Sequence, residues 1–426
     1  MAYGNRHPDA AKYAGLPPML KSLLFSGFVR LAILGMHTAL LPISSLLAEV
    51  SNVEKTHALG HAASGPWGKI EYFYIYLEAP EALMERFPLP SVINRWAVPK
   101  APLPDVGAKL RECGLSEEHT LKLLTSSSTL TEGEWVYLFP PTQMLVEMGA
   151  ATRASIYQWL DDHALNAFHQ NPIFFPGGSV DLWADGSGMH PEHVARIKSL
   201  VYERDGIVAF SDVPALLQMA GGERDARALY RQLTRTRTIM PRLVVSQDSD
   251  IPAMMEYWTT GLNLRRKEME PVLRSVQKTP DAGHIDLVHL LPALARKLVF
   301  TYPDSEMTTQ GLLPDCHWTT LNFFSYSTQN FYLTQSAATS AVLENFDKVE
   351  EPYRFGDVLM FLNDNGEAIH SCNYIAADLV FTKNGRTPAM PWMFMELADQ
   401  KRIYRVKPGG NRIVGFRHKQ VIAAGK

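Results

Sequence analysis

The sequence predicts an α+β protein: a mainly helical N-terminal domain, then a smaller C-terminal domain built on an antiparallel sheet. Three observations carry this. Ile156, Trp159, Leu160 and His163 recur at helical spacing, as do Val194, Ile197, Leu200 and Val201. Near residue 290 the pattern changes to a helix followed by short strands. Residues 356–362, 368–376 and 378–385 then read as consecutive antiparallel strands, with turns at 363–366 and around Ala377. A length of 426 residues allows two or three domains at roughly 150 residues each. The 46% hydrophobic content suffices for a packed core.

Taken in order, the chain opens with Arg6, Lys12, Lys21 and Arg30 ahead of an uninterrupted apolar stretch, residues 31–41. That length suits the core of a secretory signal and is short for a membrane span. Pro42 breaks the helix, and Ser44, Ser45 and Ala48 offer small residues for cleavage, preferably after Ala48. An export signal over residues 1–48 is therefore expected, making the protein periplasmic or secreted. A retained anchor over 23–47 is the alternative, with Arg30 and His37 against it, and would be the only membrane attachment. A buried N-terminal helix in a cytosolic protein is the third reading. Residues 69–80, rich in aromatic and β-branched types, predict a strand, and residues 49–290 otherwise read as mainly helical. Residues 171–180 form a Pro/Gly-rich connector. Ser211 or Asp212 caps a helix with Pro214 in its first turn.

Several function classes are excluded or weakened. A net charge of −3 exerts no general pull on nucleic acid or acidic lipid. Residues 144–162 echo a helix–turn–helix, but the second helix carries only Arg153 as a cation and ends in two aspartates, so no nucleic-acid partner is expected. His190 and His193 lack a third ligand at a recognisable spacing, and no metal or cofactor is expected. No phosphate-cradling loop and no nucleophile elbow are present. Arg224, Arg227, Arg231 and Arg235, continued by Arg237 and Arg242, make a basic stripe that reads first as a solvated helix face. Three cysteines are too few for a disulfide scaffold.

The chemistry concentrates in "DCHWTTLNFF", residues 315–324. Asp315 is a natural N-cap, which places Cys316 at the first helical position, where unpaired amides favour a thiolate. The adjacent carboxylate opposes this, so activation calls for an imidazole. His370 is the candidate. Alternation puts His370, Cys372 and Tyr374 on one strand face and Ser371, Asn373 and Ile375 on the other. A polar residue should orient the imidazole: Asn384 first, Thr382 as the alternative, with Lys383 disfavoured because an ammonium opposes imidazolium. A nucleophile helix packed on a sheet that presents the base is papain-like geometry. It requires sulfur and imidazole to meet at an accessible cleft.

The order of "DCHWTTLNF", "GDVLMFL" and "HSCNYIAADLVFTKNG" resembles the NlpC-type papain-like peptidases and amidases over about residues 300–400. The resemblance implies a Cys316 nucleophile, a His370 base and an Asn384 or Thr382 orienter. It also implies a site shaped by Tyr302, Asp315, His317 and Trp318, with Thr382 and Lys383 beside it. A peptide or amide substrate, with peptidoglycan stem peptide as the example, is implied as well. His317–Trp318 stands where the family has Ser–Gly, which changes the pocket beside the nucleophile. A thiol acyltransferase would use the same groups, and an envelope scaffold with a decayed papain-like domain is the non-catalytic alternative.

Overall fold

The computed structural model describes residues 59–262, 264–304 and 310–424, all of them in one unit, Val50–Lys426. The expected export segment, residues 1–48, lies outside the described residues. Among the described residues no helix is long and apolar enough to cross a membrane.

The C-terminal sheet has six strands in the order Phe346–Val349, Arg412–His418, Val358–Leu362, Ala368–Ala376, Leu379–Thr382, Met393–Glu396. Every pairing is antiparallel. The three runs expected as consecutive strands are neighbours, joined where the turn chemistry indicated. The Gly366 amide closes the first turn on the Asn363 carbonyl at 2.9 Å. Ala377 and Asp378 form the second in the left-handed region, at φ 49° and 60°. Gly356, at φ 86°, lies in the turn before the strand Val358–Leu362, where a Cβ would lie 2.3 Å from the Phe324 ring, so only glycine fits. Asp357 accepts two hydrogen bonds from Arg417, at 2.8 and 2.7 Å. This fork ties the strand Arg412–His418 into the sheet interior.

The region expected to be mainly helical is instead mixed. A four-stranded antiparallel sheet runs Gly60–His61, Lys69–Leu77, Thr236–Val245, Gly283–Asp286. Two three-stranded sheets and a set of short helices make up most of the rest. The strand at 69–77 is as expected, but its partner at 236–245 falls where the sequence suggests a continued basic stripe. Arg227 pairs with Glu223, while Arg231 and Arg235 share Glu78 across to the strand's end. The stripe is thus largely tied down rather than solvated.

No break in packing marks residue 290. One apolar cluster joins Ile70, Ile239, Leu243 and Met254 to Leu290, Trp318, Ile375, Phe381 and Phe394. Burial of each such side chain contributes roughly 1.5–3 kcal/mol. The hydrogen bonds that cross alongside, such as Thr238 to the Phe394 carbonyl at 2.9 Å and Tyr257 to the Ile375 carbonyl at 2.7 Å, contribute about 1 kcal/mol each. The shared core is the stronger bond between the two parts.

The echo of a helix–turn–helix is a real helix pair, Thr142–Glu147 and Ala150–Asp161. Its one cation, Arg153, is 1% exposed and donates to the carbonyls of Leu145, Met148 and Val201. It has no reach to a nucleic acid.

Candidate functional site

Asp315 caps the helix Cys316–Leu321, its carboxylate accepting from the Trp318 amide at 2.9 Å. The helix packs on the strand Ala368–Ala376 through side chains of one strand face. Ser371 Oγ meets His317 Nδ1 at 2.9 Å and donates to Thr320 Oγ1 at 3.1 Å, and Asn373 donates to the Thr320 carbonyl at 3.3 Å. The Cys316 sulfur lies close enough to the backbone N–H groups of Ser371, of His317 and of its own residue for them to favour the thiolate. It therefore lies against the strand one residue from His370.

His370 projects to the opposite strand face, as alternation required, beside Phe361 and stacked flat on Tyr404 with ring centroids 4.0 Å apart. Its Nε2 lies 3.2 Å from Thr382 Oγ1. The Thr382 hydroxyl donates to Asn384 Oδ1 at 3.4 Å, and Gln400 donates to the same oxygen at 3.1 Å. A hydroxyl that has given its proton to Asn384 accepts from the imidazole, so Nε2 carries the ring proton and Nδ1 the lone pair. Nδ1 has no hydrogen-bond partner among the described residues. The residue on the imidazole is thus Thr382, the alternative orienter, and the first choice, Asn384, stands one hydrogen bond farther out.

Burial governs the charges. Cys316 is 6% exposed and His370 fully buried. Burial first, then the Asp315 carboxylate, pushes the Cys316 thiol up to about 12, against the three amides that favour the thiolate. Burial, helped by nearby His317, holds the His370 imidazole well below its ordinary value. The pair is therefore a neutral thiol and a neutral imidazole. A helix-end dipole contributes on the order of 0.3–1 kcal/mol at an exposed site, and this helix has only six residues. It cannot offset desolvation, so the thiolate favoured by sequence position does not form here. Among the described residues no hydrogen bond joins Sγ to the imidazole, and both are buried, so the expected meeting at an accessible cleft is not seen in this state.

The other expected site residues divide. Lys383 is fully buried, its Nζ donating to the carbonyls of Gly385 at 2.8 Å and Thr387 at 2.9 Å. Burial lowers it to about 7, with Cys316 and Asp315 pulling the other way. His317 is half-buried and lowered by burial, opposed by Asp315. Trp318 is a core side chain, 6.1 Å from Trp392 ring to ring. Tyr302 packs with Leu83, Met84 and Ala389, and its hydroxyl, raised by burial with Glu78 next, has no partner among the described residues. It makes no hydrogen bond to Cys316.

Three neighbours carry no motif and went unread: Tyr404, which covers the imidazole; Gln400, which orients Asn384; and Arg386, whose guanidinium pairs with the Asp315 carboxylate at 3.0 Å. The periodicity of residues 397–403 signals a helix but not where its end lands. Neither Cys316 nor His370 lines the cavity of about 390 Å³ or that of about 770 Å³, although Asn384, Arg386 and Tyr404 all line the latter. Among the described residues no cluster of His, Cys, Asp and Glu is arranged to hold a metal ion. Comparison with family models, with curated proteins and with solved structures finds no match.

Proposed function

We propose that the chain is a cysteine hydrolase of papain-like design, cleaving an amide bond, with its site closed in this state. The observation that supports this most is the ordering of the imidazole. Nε2 is committed to a Thr382–Asn384–Gln400 relay, which leaves the Nδ1 lone pair free on the residue next to the amide that meets the Cys316 sulfur. A general base needs that tautomer held in place. In the reaction so proposed, the site opens so that Cys316, packed on the Ser371 face of the strand, can give its proton to Nδ1 of His370, which projects to the other face, as sulfur attacks the amide carbon. The Cys316 amide and a neighbouring N–H steady the oxyanion, the protonated imidazole returns the proton to the leaving amine, and water releases the thioester. The closed state must first open at Tyr404 or along residues 384–390, because an amide cannot reach a sulfur 6% exposed. Export and a cell-wall peptide substrate belong to the same reading and rest on the sequence.

Burial also favours a second reading, a non-catalytic envelope protein that keeps the papain-like arrangement as a scaffold. Cys316→Ala tests the choice. The enzyme reading expects loss of at least about 1,000-fold in amide cleavage from a panel of short peptides, with melting unchanged. Equal cleavage by the variant, or none by the parent protein, would sink it in favour of the scaffold.

A further inference from the structure

The cavity of about 770 Å³ has five arginines in its wall, Arg204, Arg235, Arg237, Arg386 and Arg405, against one acidic residue, Asp161. The arginines come from separate parts of the chain and are held rigidly. Arg235 is paired with Glu78 at 2.9 Å and lies over the Tyr76 ring, and Arg237 is paired with Asp399 at 2.8 Å and lies over Tyr74. Asp161 is shared by Arg204 and Arg405, at 3.2 and 2.6 Å, Arg405 also pairs with Asp205 at 2.9 Å, and Arg231 and Arg235 share Glu78. Of the partner carboxylates only Asp161 reaches the wall. Five guanidiniums thus face the cavity with one carboxylate on its wall, their other partners lying behind it, and fixed guanidiniums suit carboxylate or phosphate recognition.

We propose that this cavity binds a small organic anion, carrying carboxylate or phosphate groups, beside the Tyr404 ring. Binding of this kind goes beyond the amide-cleaving reading and stands whether or not Cys316 reacts. That the occupant is the substrate, lying next to the Thr382–Asn384 relay, does rest on that reading.

Calorimetric titration of the full chain carrying Cys316→Ala, with glutarate, its neutral diamide glutaramide, and inorganic phosphate, tests it. Glutarate binding identifies carboxylate as the ligand chemistry, and phosphate binding identifies phosphate. Either should weaken several-fold as salt is raised, and about tenfold in Arg237→Gln. Should Arg237→Gln fail to fold, Arg405→Gln takes its place, and the salt dependence of the otherwise unchanged chain still decides. No binding of either anion at millimolar concentration overturns the proposal. So does glutaramide binding as tightly as glutarate, or anion binding indifferent to salt and to the arginine substitutions. A Cys316→Ala protein that still cleaves amides sinks the enzyme reading and leaves this one untouched.

Discussion

Two buried polar centres in this chain handle the cost of burial in opposite ways. At Arg153 the guanidinium is spent on three main-chain carbonyls, and Asp212 lies 3.8 Å away while accepting from Tyr157 at 2.5 Å. At Cys316 and His370 the hydrogen bonds are neutral and no counter-ion faces the imidazole, so burial strips the charge from both groups. The difference teaches that depth alone does not decide ionisation. What matters is whether the fold supplies a partner for the charged form.

The comparison breaks most readily at the charged centre. Arg153→Met should destabilise the protein by roughly 3–5 kcal/mol, because Asp212 is left buried without its cation; a denaturant midpoint at pH 7 reads this. If the loss is below about 1 kcal/mol, the two centres do not differ as described.

Two pH series sharpen the contrast. Lys383, near the neutral centre, falls from 10.5 to about 7 on folding. Between those values the unfolded chain holds a proton that the folded chain has released, so stability rises with pH from about 7 to 10.5. Lys383→Met should flatten that rise in melting temperature. Asp212, an acid raised from 3.8 to about 6 chiefly by burial, acts the other way. There the folded form holds the extra proton, so its contribution falls as pH climbs from about 4 to 6 and is constant above. Asp212→Asn should remove this fall, which spans a narrower pH window than the Lys383 rise. A slope that survives either substitution assigns it to another group.

The smallest effect is expected at the nucleophile turn. Asp315→Ala removes an N-cap, which costs about 1 kcal/mol. The Arg386 pair adds little, since that side chain is 65% exposed. Chemical denaturation should show a shift of this size, and one of 3 kcal/mol or more would mean that the cap also holds the Lys383–Thr387 loop.

What could be read in the sequence was local. The Asp315 cap, the Asn363–Gly366 turn and the face-to-face alternation of residues 370–375 depend on neighbours within a few positions, and all are present as expected. Distant pairings were not legible. Lys69–Leu77 pairs with Thr236–Val245, a segment whose arginines and central Pro241 mask its alternation. Tyr404 reaches His370, and Arg386 reaches Asp315, only because the sheet brings them together. The thiol itself shows the limit best: its position on the helix was legible, but the desolvation that outweighs that position depends on the whole packed core.

The strand Arg412–His418 lies between Phe346–Val349 and Val358–Leu362, bonded to both. During synthesis, the ribosome must therefore deliver residue 418 before the six-stranded sheet can assume its order. Until then Val358–Leu362 presents an open hydrogen-bonding edge to any passing extended chain. A nascent protein stalled short of that point is a template for aggregation, and the Asp357–Arg417 fork is the latch that closes it.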